Sequence, residues 1–234
     1  MAGLRKLHGI GAAGEAQAAD RPLAASAEKD RIARVLVLPD GRRLGYAEFG
    51  DPDGVPVLAL HGTPGSRLMF ALTDGAARAR GLRIVAPERP GYGLSDYRRA
   101  ATLAELAADA AILADRLALE RLAVLGVSGG GPHALAVAAA LSDRTALLGL
   151  ISPVGPVADR ASAIRMSRLH RFVFTRLGRS DAACAAFFWS VRTLVRLAPG
   201  LAYRALTKRV VASDRALLAR PAVLAHRVGH HVGI

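Results

Sequence analysis

Residues 126–134 read GVSGGGPHA, with Ser128 set among four glycines, after the apolar run LAVL and before the alanine-rich ALAVAAAL. Two readings are open for such a stretch. It is either a flexible turn with an incidental serine, or a crowded bend in which the glycines make room for the serine. Gly126-Val127-Ser128-Gly129-Gly130 spells G-x-S-x-G between a predicted strand and a predicted helix. In that setting the serine takes a strained backbone conformation, and residues two before and two after it must be small. The hydroxyl then projects at the carboxyl end of a sheet, where the N–H groups of the following helix favour developing negative charge. The chemistry that fits is nucleophilic attack by Ser128.

Two further motifs follow predicted strands. HGTPGS (61–66) comes after VPVLAL, and PERPGYGLSD (87–96) comes after LRIVA. Gly62 lets the chain turn sharply after its strand, so that a backbone N–H can face the Ser128 hydroxyl. Thr63 is the natural donor, and with the N–H of Gly129 it would make a two-donor oxyanion hole. In the third motif Pro90-Gly91 sets a turn beside the same sheet end. His133, five residues after Ser128, points along its helix away from the hydroxyl and toward the helix or a pocket wall.

The elements that must position these motifs are legible from periodicity. ARVLVL, PDG and RRLGYAEFG read as two antiparallel strands around a tight turn, closed by DPDG at 51–54. VPVLALH (55–61), LRIVA (82–86), RLAVLG (121–126) and TALLGLI (145–151) are short apolar runs without alternation, as strands buried on both faces of a parallel sheet require. Between them, Leu103, Leu106, Ala110, Leu113 and Leu117 mark one face of a helix over 103–119. Thr102 and Glu105 spell a capping box at its start. Ala134 to Leu141 is apolar all round, predicting a helix buried behind the sheet. The sum is an α/β architecture. After SPVGP (152–156) the texture turns helical, with MSRLHRFVFTRL and AACAAFFWSVRTLVRL as two arginine-studded aromatic segments. Phe187, Phe188 and Trp189 read as core of that helical unit, with ligand contact as the alternative.

HGTPGS, ERPGYGLSD and GVSGGGPHA, in that order, resemble the N-terminal half of the α/β-hydrolase fold, and within it the serine hydrolases with a helical cap. The resemblance covers residues 34–156 strongly and the cap loosely. It implies a mostly parallel sheet flanked by helices, with Ser128 as nucleophile and the Thr63 and Gly129 N–H groups as oxyanion donors. Gly126 and Gly130 belong to the elbow. In the family the position of His61 is structural, supporting the turn with Gly62. The activity implied is hydrolysis of an ester, amide or similar acyl substrate through a Ser128 acyl-enzyme, with no cofactor and no metal. A cofactor-free haloperoxidase or an acyltransferase would use the same motifs, and a non-catalytic remnant or binding protein would keep the fold without the chemistry. The domain reading is a disordered lead-in over 1–30, an α/β-hydrolase core over 31–156, a helical cap over 157–220 and an unstructured tail over 221–234.

The family's triad continues with an acid after the seventh strand and a late histidine after the eighth. Neither strand is visible in this text. The weak candidates for acid and base are Asp214, His226, His230 and His231; Asp214, in ASDRALLAR, reads better as a helix N-terminal residue. The expectation is a sequence incomplete at its C-terminus relative to the family, with its last strands absent and weak or no activity. TALLGLI then becomes an open apolar edge.

Composition sets the outer bounds. Of 234 residues, 52% are hydrophobic, enough for one well-cored domain. The net charge of +13 invites a nucleic-acid reading. Arginine supplies all but three of the basic residues, scattered through an alanine-rich text, as a GC-rich coding sequence produces. Aromatics are only 5%, leaving few platforms for bases. No nucleic-acid partner is expected. No stretch spans a membrane, because Asp143 and Arg144 interrupt the most apolar window. The N-terminus lacks a signal-peptide core, and Cys184 is the only cysteine. A cytoplasmic protein with a small-molecule substrate is the expectation, its oligomeric state left open.

Overall fold

A computed structural model describes residues 30–155, 168–177, 180–201 and 204. The tail reading over 221–234, and the lead-in reading up to residue 29, lie outside the described residues. The fold opens with β1 (Arg34–Val37) and β2 (Arg43–Gly50), antiparallel strands with Val37 opposite Arg43. Their turn is closed by Leu38 N–H donating to the Arg42 carbonyl, and Gly41 takes φ +84°, which a side chain would oppose. Four more strands follow: β3 (Val55–Leu60), β4 (Leu82–Pro87), β5 (Leu122–Val127) and β6 (Thr145–Ile151). The spatial order is β1-β2-β4-β3-β5-β6, with β2 antiparallel to β4 and the last four strands mutually parallel.

The unalternating apolar runs feed two cores, one on each face of the sheet. Leu58, Val85 and Val124 point into a core built with Ala110, Leu113 and Val137. Their strand neighbours Ala59, Ile84 and Ala86 point the other way, onto Phe49, Phe70 and Ala77. Strands buried on both faces have no polar side to show, which is why periodicity alone could not orient them. The second core is covered by a 3₁₀ turn (Arg67–Thr73) and the short α1 (Asp74–Arg78).

The first core is covered by α2 (Leu103–Arg116) and α3 (Gly131–Ala140). Thr102 accepts from the Glu105 N–H while the Glu105 carboxylate accepts from the Thr102 N–H, so the predicted capping box is complete. α2 stops three residues short of the predicted end, because Ala118 takes φ +52° and turns the chain toward β5. α3 begins three residues earlier than predicted, with a proline in its first turn. It is not buried all round: Ala134 and Val137 are inside, but Leu135 is 51% exposed. An alanine-rich helix has little side-chain pattern with which to mark its wet face.

β6 closes the described sheet, with Leu147 66% exposed. Two helices follow, α4 (Arg168–Thr175) and α5 (Asp181–Leu197), and Ser180 caps α5 by accepting from the Ala183 N–H. Phe188 and Trp189 on α5 are exposed, Trp189 at 68%, so the core reading does not hold for these two, whereas Phe187 is half-buried. No helix among the described residues is long and apolar enough to cross a membrane.

Candidate active site

Ser128 stands at the end of β5, in a short 3₁₀ turn (Ser128–Gly130) that runs straight into α3. Its φ is +51°, in the left-handed region that favours glycine. The crowded-bend reading of GVSGG is the one realised. A Cβ on Gly126 would lie 2.6 Å from that of Ala134 and 2.9 Å from the Gly130 carbonyl oxygen. One on Gly130 would overlap the Leu60 carbonyl and come within 2.8 Å of the His61 carbonyl oxygen. β5 and the start of α3 therefore meet backbone to backbone against the end of β3.

The HGTPGS segment packs on this elbow. A Cβ on Gly62 would be 3.2 Å from the Ser128 Cβ and 3.8 Å from its Oγ. Gly62 is thus small for space and not for φ, which differs from the turn argument. A Cβ on Gly129 would meet the Thr63 Oγ1 at 2.9 Å and the Thr63 nitrogen at 3.1 Å. Thr63, Gly62, Gly129 and Ser128 are brought together at the end of the sheet. The Ser128 hydroxyl makes no hydrogen bond among the described residues.

His61 is completely buried. Its Nδ1 lies 2.9 Å from the Gly62 carbonyl oxygen, and its Nε2 accepts from the Arg89 N–H at 3.4 Å. That pattern assigns the neutral ring with the proton on Nδ1. Burial pushes the His61 pKa down to about 4, and the Arg89 charge adds to the effect. With both nitrogens engaged, His61 ties the end of β3 to the end of β4. The pKa of His133, on the first turn of α3, is likewise depressed to about 4, by burial first and then by Arg89. Its Nδ1 is buried with no partner among the described residues. Asp214, His226, His230 and His231 lie outside the described residues.

In the sequence, Arg89 reads only as part of a turn. In the structure its Nη2 donates to the Gly62 carbonyl at 3.0 Å and to the Thr63 Oγ1 at 2.6 Å, and its guanidinium carbon sits 4.4 Å from the centre of the Tyr92 ring. The available signal was a basic residue two positions past β4, whose parallel neighbour β3 runs into HGTPGS. Beside it, Glu88 is fully buried, pairs with Arg67 and accepts from the Leu94 N–H. A cavity of about 20 Å³ under the sheet end is lined by Glu88, Arg89, Leu106, Asp109 and His133, among others.

A parallel sheet with three loops meeting at its carboxyl edge, one presenting a strained serine between strand and helix, defines a class. The family model for the alpha/beta hydrolase fold matches residues 55–183, more than half of the chain, and the chain belongs to that family. Among individual proteins it is similar to a non-heme chloroperoxidase of Streptomyces lividans, 36% identical over 50% of this chain and 44% of that one. It is also similar to an uncharacterized hydrolase of Bacillus subtilis, 33% identical over 49% of this chain and 39% of that one. A carboxylesterase structure from Nitrososphaera gargenis superimposes with a TM-score of 0.52 at 17% identity, over 70% of this chain and 54% of that one, which shows the fold. The chain spans less than half the length of these curated relatives.

Proposed function

We propose that this protein is a serine hydrolase acting on an ester, amide or similar acyl compound, with Ser128 as nucleophile and the Thr63 and Gly129 N–H groups as oxyanion donors. The observation that supports the reading is Ser128 at φ +51° on the β5–α3 elbow, with Gly62, Thr63 and Gly129 packed around it. A non-glycine residue in this conformation costs about 1–3 kcal/mol and persists only where the surroundings enforce it. Here they leave the hydroxyl without a hydrogen bond among the described residues, at the edge where three loops meet.

The chemistry follows from that placement. The Ser128 oxygen attacks the acyl carbon, its proton passes to a base, and the carbonyl electron pair moves onto oxygen. The Thr63 and Gly129 N–H groups receive that oxyanion, an interaction worth about 3–4 kcal/mol per donor in a comparable site. Collapse expels the leaving group and leaves the acyl on Ser128; water then hydrolyses it. His61 is not the base, because both of its nitrogens are occupied in a fully buried network. The helices after residue 156 serve as a cap that shapes the acyl pocket.

The test is labelling of the 234-residue protein with a fluorophosphonate, followed by peptide mass mapping. One adduct on Ser128, absent from Ser128→Ala, is the expected result. A protein that stays unlabelled while folded, or an adduct at another residue, overturns the reading.

A further inference from the structure

Three arginines converge beneath the sheet end, and two are neutralised. Arg67 pairs with Glu88 at 2.7 Å, and Arg42 clasps Asp109 through two bonds of 2.8 Å. Arg89 is different. Among the described residues no carboxylate lies within ion-pair distance of it, and its Nε is buried without a partner. Burying a cation without a counter-charge is unfavourable, and a fold that merely needed the 62–63 loop tied down could use a neutral donor. Glu88 and Asp109 line the same cavity as Arg89, but each is already held by its own arginine, so the charge left over is positive.

Its position relative to the elbow gives that charge a use. The Nη2 of Arg89 is 2.6 Å from the Thr63 Oγ1, and the Thr63 Oγ1 is 2.9 Å from where a Gly129 Cβ would stand. The guanidinium is therefore one threonine away from the Ser128–Gly129 peptide. Tyr92 supports it from one face as a cation–π partner, and Thr63 beside it is exposed. Planar guanidinium donors match the oxygens of a carboxylate.

We infer that Arg89 is an anion-binding residue of this site, and that the site takes acyl compounds carrying a carboxylate, with that group docked on the guanidinium beside Thr63. This assignment deepens the Ser128 reading, and it rests on that reading for the chemistry that follows binding. His61 and His133 flank Arg89 as neutral rings, so the charge that an incoming carboxylate meets between them is that of the guanidinium.

The probe is benzoate, with benzamide as its uncharged counterpart, titrated into the 234-residue protein while the histidine ring resonances are followed by NMR. Saturable shifts of the His61 and His133 signals with benzoate, and binding about tenfold weaker or worse for benzamide, are expected. Arg89→Gln should weaken benzoate by about tenfold or more, the weight of a charge-assisted hydrogen bond, with Arg89→Lys between the two. Ser128→Ala should bind benzoate as the parent does. Equal binding of benzoate and benzamide by the parent overturns the inference even if Arg89→Gln fails to fold. Loss of fluorophosphonate labelling with benzoate binding intact would instead count against the Ser128 reading alone.

Discussion

The Arg67 guanidinium and the Glu88 carboxylate lie 2.7 Å apart inside the protein, 21 residues apart in sequence. Glu88 also accepts from the Leu94 N–H, and its backbone N–H donates to the Gly45 carbonyl. One carboxylate thus holds the loop that follows β4, and with it Arg89. Removing one partner of a buried pair leaves the other charge uncompensated, at a cost of about 3–5 kcal/mol. Glu88→Ala should lower the melting temperature by about 10 °C or more, read by thermal unfolding followed by circular dichroism. A variant that melts with the parent would mean that the pair does not hold this loop.

Gly130 tests the elbow itself. A Cβ there would stand 2.7 Å from the Leu60 carbonyl carbon and 2.8 Å from the His61 carbonyl oxygen, both backbone atoms that cannot swing aside. Gly130→Ala should cost about 1–3 kcal/mol, the usual penalty for overpacking, and Gly130→Leu should not give soluble protein. Gly75, with open space around its Cβ position, is the control: Gly75→Ala should leave the melting temperature within about 2 °C of the parent. If Gly130→Leu is as stable as the parent, β5 and α3 do not meet as described.

Acid should weaken the fold through His61. Its pKa falls from 6.5 to about 4 in the folded protein, so between those values the unfolded state binds more protons. Stability conferred by the neutral ring is complete above about pH 6.5 and is lost as pH drops toward 4. At about 1.4 kcal/mol per pH unit, the loss is on the order of 3 kcal/mol. Urea unfolding across that range should show it, and the His61 ring signal should not titrate near its ordinary value. Arg89→Gln should raise the pKa of His61 and of His133 part of the way back, since burial remains the larger cause. A His61 that titrates normally in the parent would mean that the ring is solvated.

The strands were legible as short apolar runs recurring between helical segments, and the parallel order followed from the lack of alternation. The serine elbow was legible because its glycines bracket the motif at fixed offsets. Arg89 was not, since nothing in ERPGYG distinguishes an arginine facing solvent from one folded back over Tyr92 onto Gly62 and Thr63. That direction is set by β3 and β4 lying side by side, a long-range fact. The exposure of Leu135 and Trp189 was missed for a related reason. Apolar side chains mark a core only when a neighbouring element exists to bury them, and their own segment does not say which face has one.

Ser128 should be more favourable for chemistry than for stability. At φ +51° a residue with a Cβ bears strain of about 1–2 kcal/mol, and its hydroxyl recovers none of that through hydrogen bonds among the described residues. Ser128→Ala keeps the Cβ, so it should unfold within about 0.5 kcal/mol of the parent. Ser128→Gly removes the strain but adds about 0.4–1 kcal/mol of unfolded-state entropy, for a net gain of up to about 1.6 kcal/mol and a melting temperature higher by about 2–4 °C per kcal/mol gained. Neither variant should take the fluorophosphonate. The ordering is what matters: glycine above alanine at this one position, where a relaxed strand or helix would place alanine above glycine. Equilibrium urea unfolding of the parent and the two variants decides it. If alanine proves the more stable replacement, the backbone at 128 is not held in the left-handed region, and the elbow that presents the serine is not formed in solution.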